Sequence, residues 1–154
     1  MILYPMMFKL IFHEKMWGGT MLKAEFNKTD APDKCGETWE ISGIDGNLSV
    51  LKNGSLAGNN LQELIEIYMG DLVGEKVYEK YGNEFPLLIK FIDATDDLSI
   101  QVHPDDNSAK DLHHAWGKTE MWYVLDAQKD AKLISGFAKN IINKALLNRL
   151  KAEI

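Results

Sequence analysis

With 154 residues, 45% of them hydrophobic and 26% charged, the chain is long enough for one domain with a real core and too short for two ordinary ones. A formal net charge of -6 argues against a nucleic-acid partner, whose phosphates demand a basic surface, yet it admits a small phosphorylated ligand met by a few local lysines. No apolar run reaches the length of a membrane span, the apolar start "MILYPMMFKLIF" has no basic region before it, and the single cysteine, Cys35, suits a reducing compartment, so the expected location is the cytoplasm.

The first third reads as short strands between turns: "LYPMMFKLIF", "MWGGTML", "ETWEISGI" and "LSVLKNG", punctuated by Gly18-Gly19, Gly43, Gly46-Asn47 and Asn53-Gly54. A helix follows in "NNLQELIEIYMGD", where Leu61, Leu64, Ile65, Tyr68 and Met69 make one apolar stripe and Asn60 with Glu63 forms a capping-box pattern. A second helical stretch, "LVGEKVYEKYG", stops at Gly82. The period then changes to two. "FPLLIKFIDA" and "LSIQVH" read as strands, a short helix follows Pro104-Asp105, and "TEMWYVLDA" with "AKLISGF" reads as a further strand pair. Ile142, Leu146, Leu150 and Ile154 predict a helix at the end, with no residue to terminate it. Grouped helices among closely spaced strands predict an α+β, mainly β fold with an antiparallel sheet or barrel.

Chemistry concentrates between residues 90 and 120. Alternation in "LSIQVH" puts Ser99, Gln101 and His103 on one face and Leu98, Ile100 and Val102 on the other. That polar face is either solvated or, in a small barrel, turned inward as a set of oxygen and nitrogen donors. Glu120 begins the next expected strand, so it can lie beside His103 despite their separation, and imidazole with carboxylate is a normal zinc shell. A solvated strand-edge glutamate fits the same spacing, so spacing alone admits both readings. Lys90 is either a snorkelling sheet residue or one held in a pocket against an anion. Lys118, two residues before Glu120, points the same way as that carboxylate if the strand begins early. His113-His114 suit the C-terminal end of a short helix. Cys35 has no histidine or basic pair beside it that would make it a nucleophile.

"PLLIKFIDATDDLSIQVHPDD", then "GKTEMWYVLDA" and "LISGF", closely resembles type I mannose-6-phosphate isomerases, particularly their shorter bacterial branch. "MWGGTML", "GETWEIS" and "NGSLAGNNLQEL" are similar to that branch's N-terminal region, so the resemblance runs from about Trp17 to Phe137. It implies a cupin, a jelly-roll barrel with helical additions, that uses zinc to interconvert mannose 6-phosphate and fructose 6-phosphate. Residue by residue, it implies Gln101, His103 and Glu120 as zinc ligands, Lys118 as a catalytic residue, and Lys90 and Ser99 as substrate-binding residues.

The resemblance also implies further strands carrying another ligand histidine and an essential arginine. After Phe137 this chain has no histidine, and its only arginine, Arg149, does not match that motif. Residues 1–154 are therefore expected to be the N-terminal portion of the catalytic cupin domain, a partial barrel that is inactive alone. Such a portion should hold zinc weakly or not at all. It should also self-associate or pair with its C-terminal half, because an unclosed barrel leaves strand edges and apolar faces uncovered. The alternative is a non-catalytic cupin module that binds a sugar phosphate or a partner chain.

Overall fold

The structure, a computed structural model, describes residues 3–113 and 115–134. The chain divides into two compact units, Met1–Gln101 and Val102–Ile154. The expected C-terminal helix and His114 lie outside the described residues.

The first unit is organised by a three-stranded antiparallel sheet of order β1-β2-β3, with β1 at Ile11–Gly19, β2 at Cys35–Ser42 and β3 at Leu88–Ile92. Its register sorts the side chains into two faces. Phe12, Thr38 and Phe91 lie across from one another on the first face, and both phenylalanines pack on the buried cluster Leu22, Ala31 and Cys35. The other face carries the rows Ile11–Trp39–Lys90 and His13–Glu37–Ile92. Sequence reading expects "MWGGTML" as a separate strand. The structure instead runs one irregular strand through Gly19, with register shifts on both sides of Glu14, and turns "MLKA" into the short helix α1, Met21–Ala24. A side chain at Gly19 would overlap the buried Asp93 carboxylate, which accepts a 2.7 Å hydrogen bond from the Met21 amide and so fastens the start of α1 to the end of β3.

Three helices fill the span between β2 and β3. In α2, Leu61–Tyr68, Asn60 Oδ1 accepts from the Glu63 amide and the Glu63 carboxylate accepts from the Asn60 amide, completing the expected capping box. Leu61, Leu64, Ile65 and Tyr68 are buried as the helical period requires. Met69 leaves the predicted stripe because its φ of 49° ends the helix and turns its side chain outward. α3 (Gly70–Val73) and α4 (Glu75–Tyr81) follow, and α4 ends at Gly82, whose φ of 59° suits a residue without a Cβ.

In the second unit, α5 spans Asp106–His113, and its first turn is capped by Asp105, whose carboxylate accepts from the Ser108 amide at 2.8 Å. The predicted strands "LSIQVH" and "TEMWYVLDA" are not strands here, and neither are the described residues of "AKLISGF". A strand is defined by the neighbour that completes its ladder, and among the described residues these segments have none. Their apolar residues stand in solvent, Ile100 80% and Met121 92% exposed, with Val102 and Tyr123 close behind. No helix among the described residues is long and apolar enough to cross a membrane.

Candidate functional site

In the second unit, α5 and its flanking turns form a closed loop. The Lys118 amide donates to the Pro104 carbonyl at 3.4 Å, and the Gly117 amide donates to Asp106 Oδ1 at 3.0 Å. The Ser108 backbone and side-chain hydrogen bonds hold the Asp105 carboxyl below the ordinary carboxylate range. The closure brings together two residues that the sequence separates by a helix: His103 Nε2 lies 3.4 Å from Glu120 Oε2. Lys118 Nζ lies 3.6 Å from the other Glu120 oxygen. The expected adjacency of His103, Lys118 and Glu120 is therefore present, but a folded-back turn produces it rather than paired strands.

The spacing fits a direct ion pair and is also compatible with two zinc ligands. Bonds of about 2.0–2.2 Å in a tetrahedral shell put neighbouring donor atoms about 3.3–3.5 Å apart, which is the His103–Glu120 distance. One imidazole nitrogen and one carboxylate oxygen are suitable donors, and they are half of a four-donor shell. No group of three or more His, Cys, Asp or Glu side chains able to hold a metal occurs among the described residues.

The first unit holds the other expected residues. Gln101 Nε2 donates to Ser99 Oγ at 3.0 Å, so the two share one side of an extended segment as alternation predicts, and both are exposed. Lys90 stands half-buried on the Trp39 row of the sheet, where its ammonium donates to Glu37 Oε1 at 3.1 Å. The second Glu37 oxygen accepts from the Trp39 indole N–H at 2.7 Å. Burial pushes the Glu37 carboxyl up, but the hydrogen bonds from Trp39 and Lys90 and the charges of Lys90 and Lys15 outweigh it, leaving the group below its ordinary value. His13 packs its ring on Trp39 with centroids 4.4 Å apart, and its buried Nε2 has no hydrogen-bond partner among the described residues.

Sequence reading did not single out Glu37 or Trp39. The available signal was the period-two placement of Glu37 and Trp39 in "GETWEIS", which puts both on one face of β2. Cys35 is buried, and burial raises its thiol above the ordinary value, as expected of a packing residue rather than a nucleophile.

A family model described as phosphomannose isomerase type I, catalytic domain, matches residues 6–131. The mannose-6-phosphate isomerase ManA of Bacillus subtilis is 43% identical over 134 residues, covering 86% of this chain and 40% of the relative. The mannose-6-phosphate isomerase of Streptococcus mutans is 39% identical over 136 residues with the same coverage. A crystal structure of the mannose 6-phosphate isomerase from Bacillus subtilis superposes with a TM-score of 0.71 at 37% identity, over 82% of this chain and 39% of that one. The chain thus spans about 40% of the length of the curated relatives it matches.

Proposed function

The chain belongs to the type I phosphomannose isomerase family, and from that membership we propose that residues 1–154 are the N-terminal portion of a zinc-dependent cupin domain that interconverts mannose 6-phosphate and fructose 6-phosphate. The observation that carries this reading is the His103–Glu120 donor pair, spaced as zinc ligands are and flanked by the Lys118 ammonium, inside the family-matched span. The three-stranded sheet with its helices is consistent with a partial cupin fold, and the 0.71 TM-score to the Bacillus subtilis isomerase supports the same reading. A single buried cysteine supports a cytoplasmic location.

In this proposal His103, Glu120 and Gln101 hold the zinc. When bound, the ion supplies Lewis acidity at the sugar oxygens. Aldose–ketose isomerisation removes the proton from the carbon beside the carbonyl, passes through an enediol and returns the proton to the neighbouring carbon. Lys118 is assigned to the catalytic step, as the proton carrier or as an electrostatic clamp on the developing charge. Lys90 and Ser99 are assigned to the anionic end of the sugar phosphate, where an ammonium and a hydroxyl supply donors.

Two donors of a four-donor shell support a site that needs further donors before it is active. The test is a coupled isomerase assay with added zinc, on the chain alone and with the C-terminal part of a relative. Activity is expected only in the mixture, and Lys118→Ala should remove it without unfolding the chain. Sugar-phosphate binding without activity in any mixture would favour the non-catalytic module instead. Light scattering should find self-association, because Met121, Tyr123 and Ile134 present apolar area that a monomer leaves in water.

A further inference from the structure

The sheet face that carries Lys90 contains a device that none of the proposed roles uses. Glu37 and Lys90 are diagonal neighbours across β2 and β3, and Trp39, directly opposite Lys90, shares the same carboxylate. Each oxygen of Glu37 is committed to one donor, the indole at 2.7 Å and the ammonium at 3.1 Å. The Lys90 and Glu37 side chains are only 22% and 13% exposed, so little solvent screens the pair. The Trp39 ring is itself held by His13 from β1, 4.4 Å away. Glu37 therefore receives donors from β2 and β3, while β1 supports the Trp39 ring.

We propose that Glu37 is a positioning residue, which fixes the Lys90 ammonium on this face so that its remaining N–H groups are presented to an anionic ligand. An ammonium has three donors, Glu37 takes one, and Lys90 has no other hydrogen-bond partner among the described residues. A lysine on a four-carbon stem loses considerable rotamer freedom when it engages an anion, and the cross-strand carboxylate removes that freedom in advance. The Trp39 indole prevents Glu37 from turning to meet Lys90 with both oxygens, which would neutralise the charge more fully. The identity of the anion as a sugar phosphate rests on the function proposed above, whereas the clamp itself rests on the geometry.

Two measurements on the full chain separate these levels. Side-chain ammonium NMR should show Lys90 as an ordered group exchanging slowly with water. Glu37→Gln should release it, with exchange faster by about tenfold or more, the ratio expected from losing a charge-assisted hydrogen bond. If Glu37→Gln fails to fold, Trp39→Phe, which removes the indole donor but keeps an aromatic ring on this face, should let Glu37 turn and shift the Lys90 signal. A Lys90 ammonium equally ordered in the folded variant overturns the clamp.

The second measurement is mannose 6-phosphate binding by wild type, Lys90→Gln, Glu37→Gln and the double variant. Each single change should weaken binding about tenfold, and Glu37→Gln should add almost nothing once Lys90 is gone. Additive losses overturn the positioning role. Unchanged binding in Lys90→Gln overturns the sugar-phosphate assignment and leaves the NMR result to stand by itself.

Discussion

β3 and residues 119–127 are both apolar runs rich in β-branched and aromatic residues, and sequence reading treats them alike. β3 lies against β2, which exchanges hydrogen bonds with it from Glu37–Ile92 to Ser42–Leu88, and its Phe91 packs on the core beside Phe12. Residues 119–127 have no such neighbour among the described residues, and Met121, Tyr123, Val124 and Leu125 are all largely exposed. Alternation records that a segment is suited to lie between two environments, whereas a strand appears only where a second chain segment satisfies its amides. The first unit contains its own strand partners, and among the described residues the second does not.

Several measurements can break or sharpen this contrast, beginning with the largest effect. Leu64 is fully buried in the first unit, so Leu64→Ala should cost about 2–5 kcal/mol in urea unfolding, the range for a buried Leu truncation. A loss below about 1 kcal/mol would mean that this core is far looser than its burial indicates.

Next comes the Glu37 network. Glu37→Gln should cost about 1–3 kcal/mol near neutral pH, since it leaves the half-buried Lys90 without its counter-charge. The pH dependence has a definite sign. Because the folded-state carboxyl lies below its ordinary value, the unfolded chain binds the proton more tightly. The contribution is complete above the unfolded glutamate value of about 4.3 and is lost as pH falls from there through the lower folded value. Urea midpoints across that window should fall more steeply in wild type than in Glu37→Gln. Parallel curves would remove the clamp's electrostatic part.

Asn60→Ala removes half of the capping box on α2 and should cost about 1 kcal/mol, read from the same unfolding curves. The smallest effect belongs to the second unit. Tyr123→Ala should change stability by less than about 0.5 kcal/mol, because an 82% exposed ring has little packing to lose. A larger loss would show that the segment is covered in solution. In that case hydrogen exchange should find protected amides between residues 119 and 127.

Much of this was legible in advance. The α2 stripe, its Asn60–Glu63 box and the stop at Gly82 follow from local rules and appear in the structure, because a helix satisfies its amides from within. The pairing of His103 with Glu120 was also anticipated, but by resemblance and an assumed strand pair. The structure reaches it through the Pro104–Lys118 closure around α5 instead. Glu37 went unread because its role depends on register: only the β2–β3 alignment places it diagonal to Lys90 and beside Trp39. Met69 was misplaced because a positive φ at a single residue breaks a period that composition alone would continue.

By itself, then, the sequence determined α2, the stop of α4 at Gly82, the short helix α5, and the concentration of donor side chains between Lys90 and Glu120. These depend on neighbours within a few residues, where spacing and chemistry suffice. Only the tertiary structure decided which alternating runs became strands, which carboxylate met Lys90, and by what route His103 reached Glu120. Those outcomes depend on contacts between residues tens of positions apart, and the closure of such contacts is set by the whole fold rather than by any local pattern.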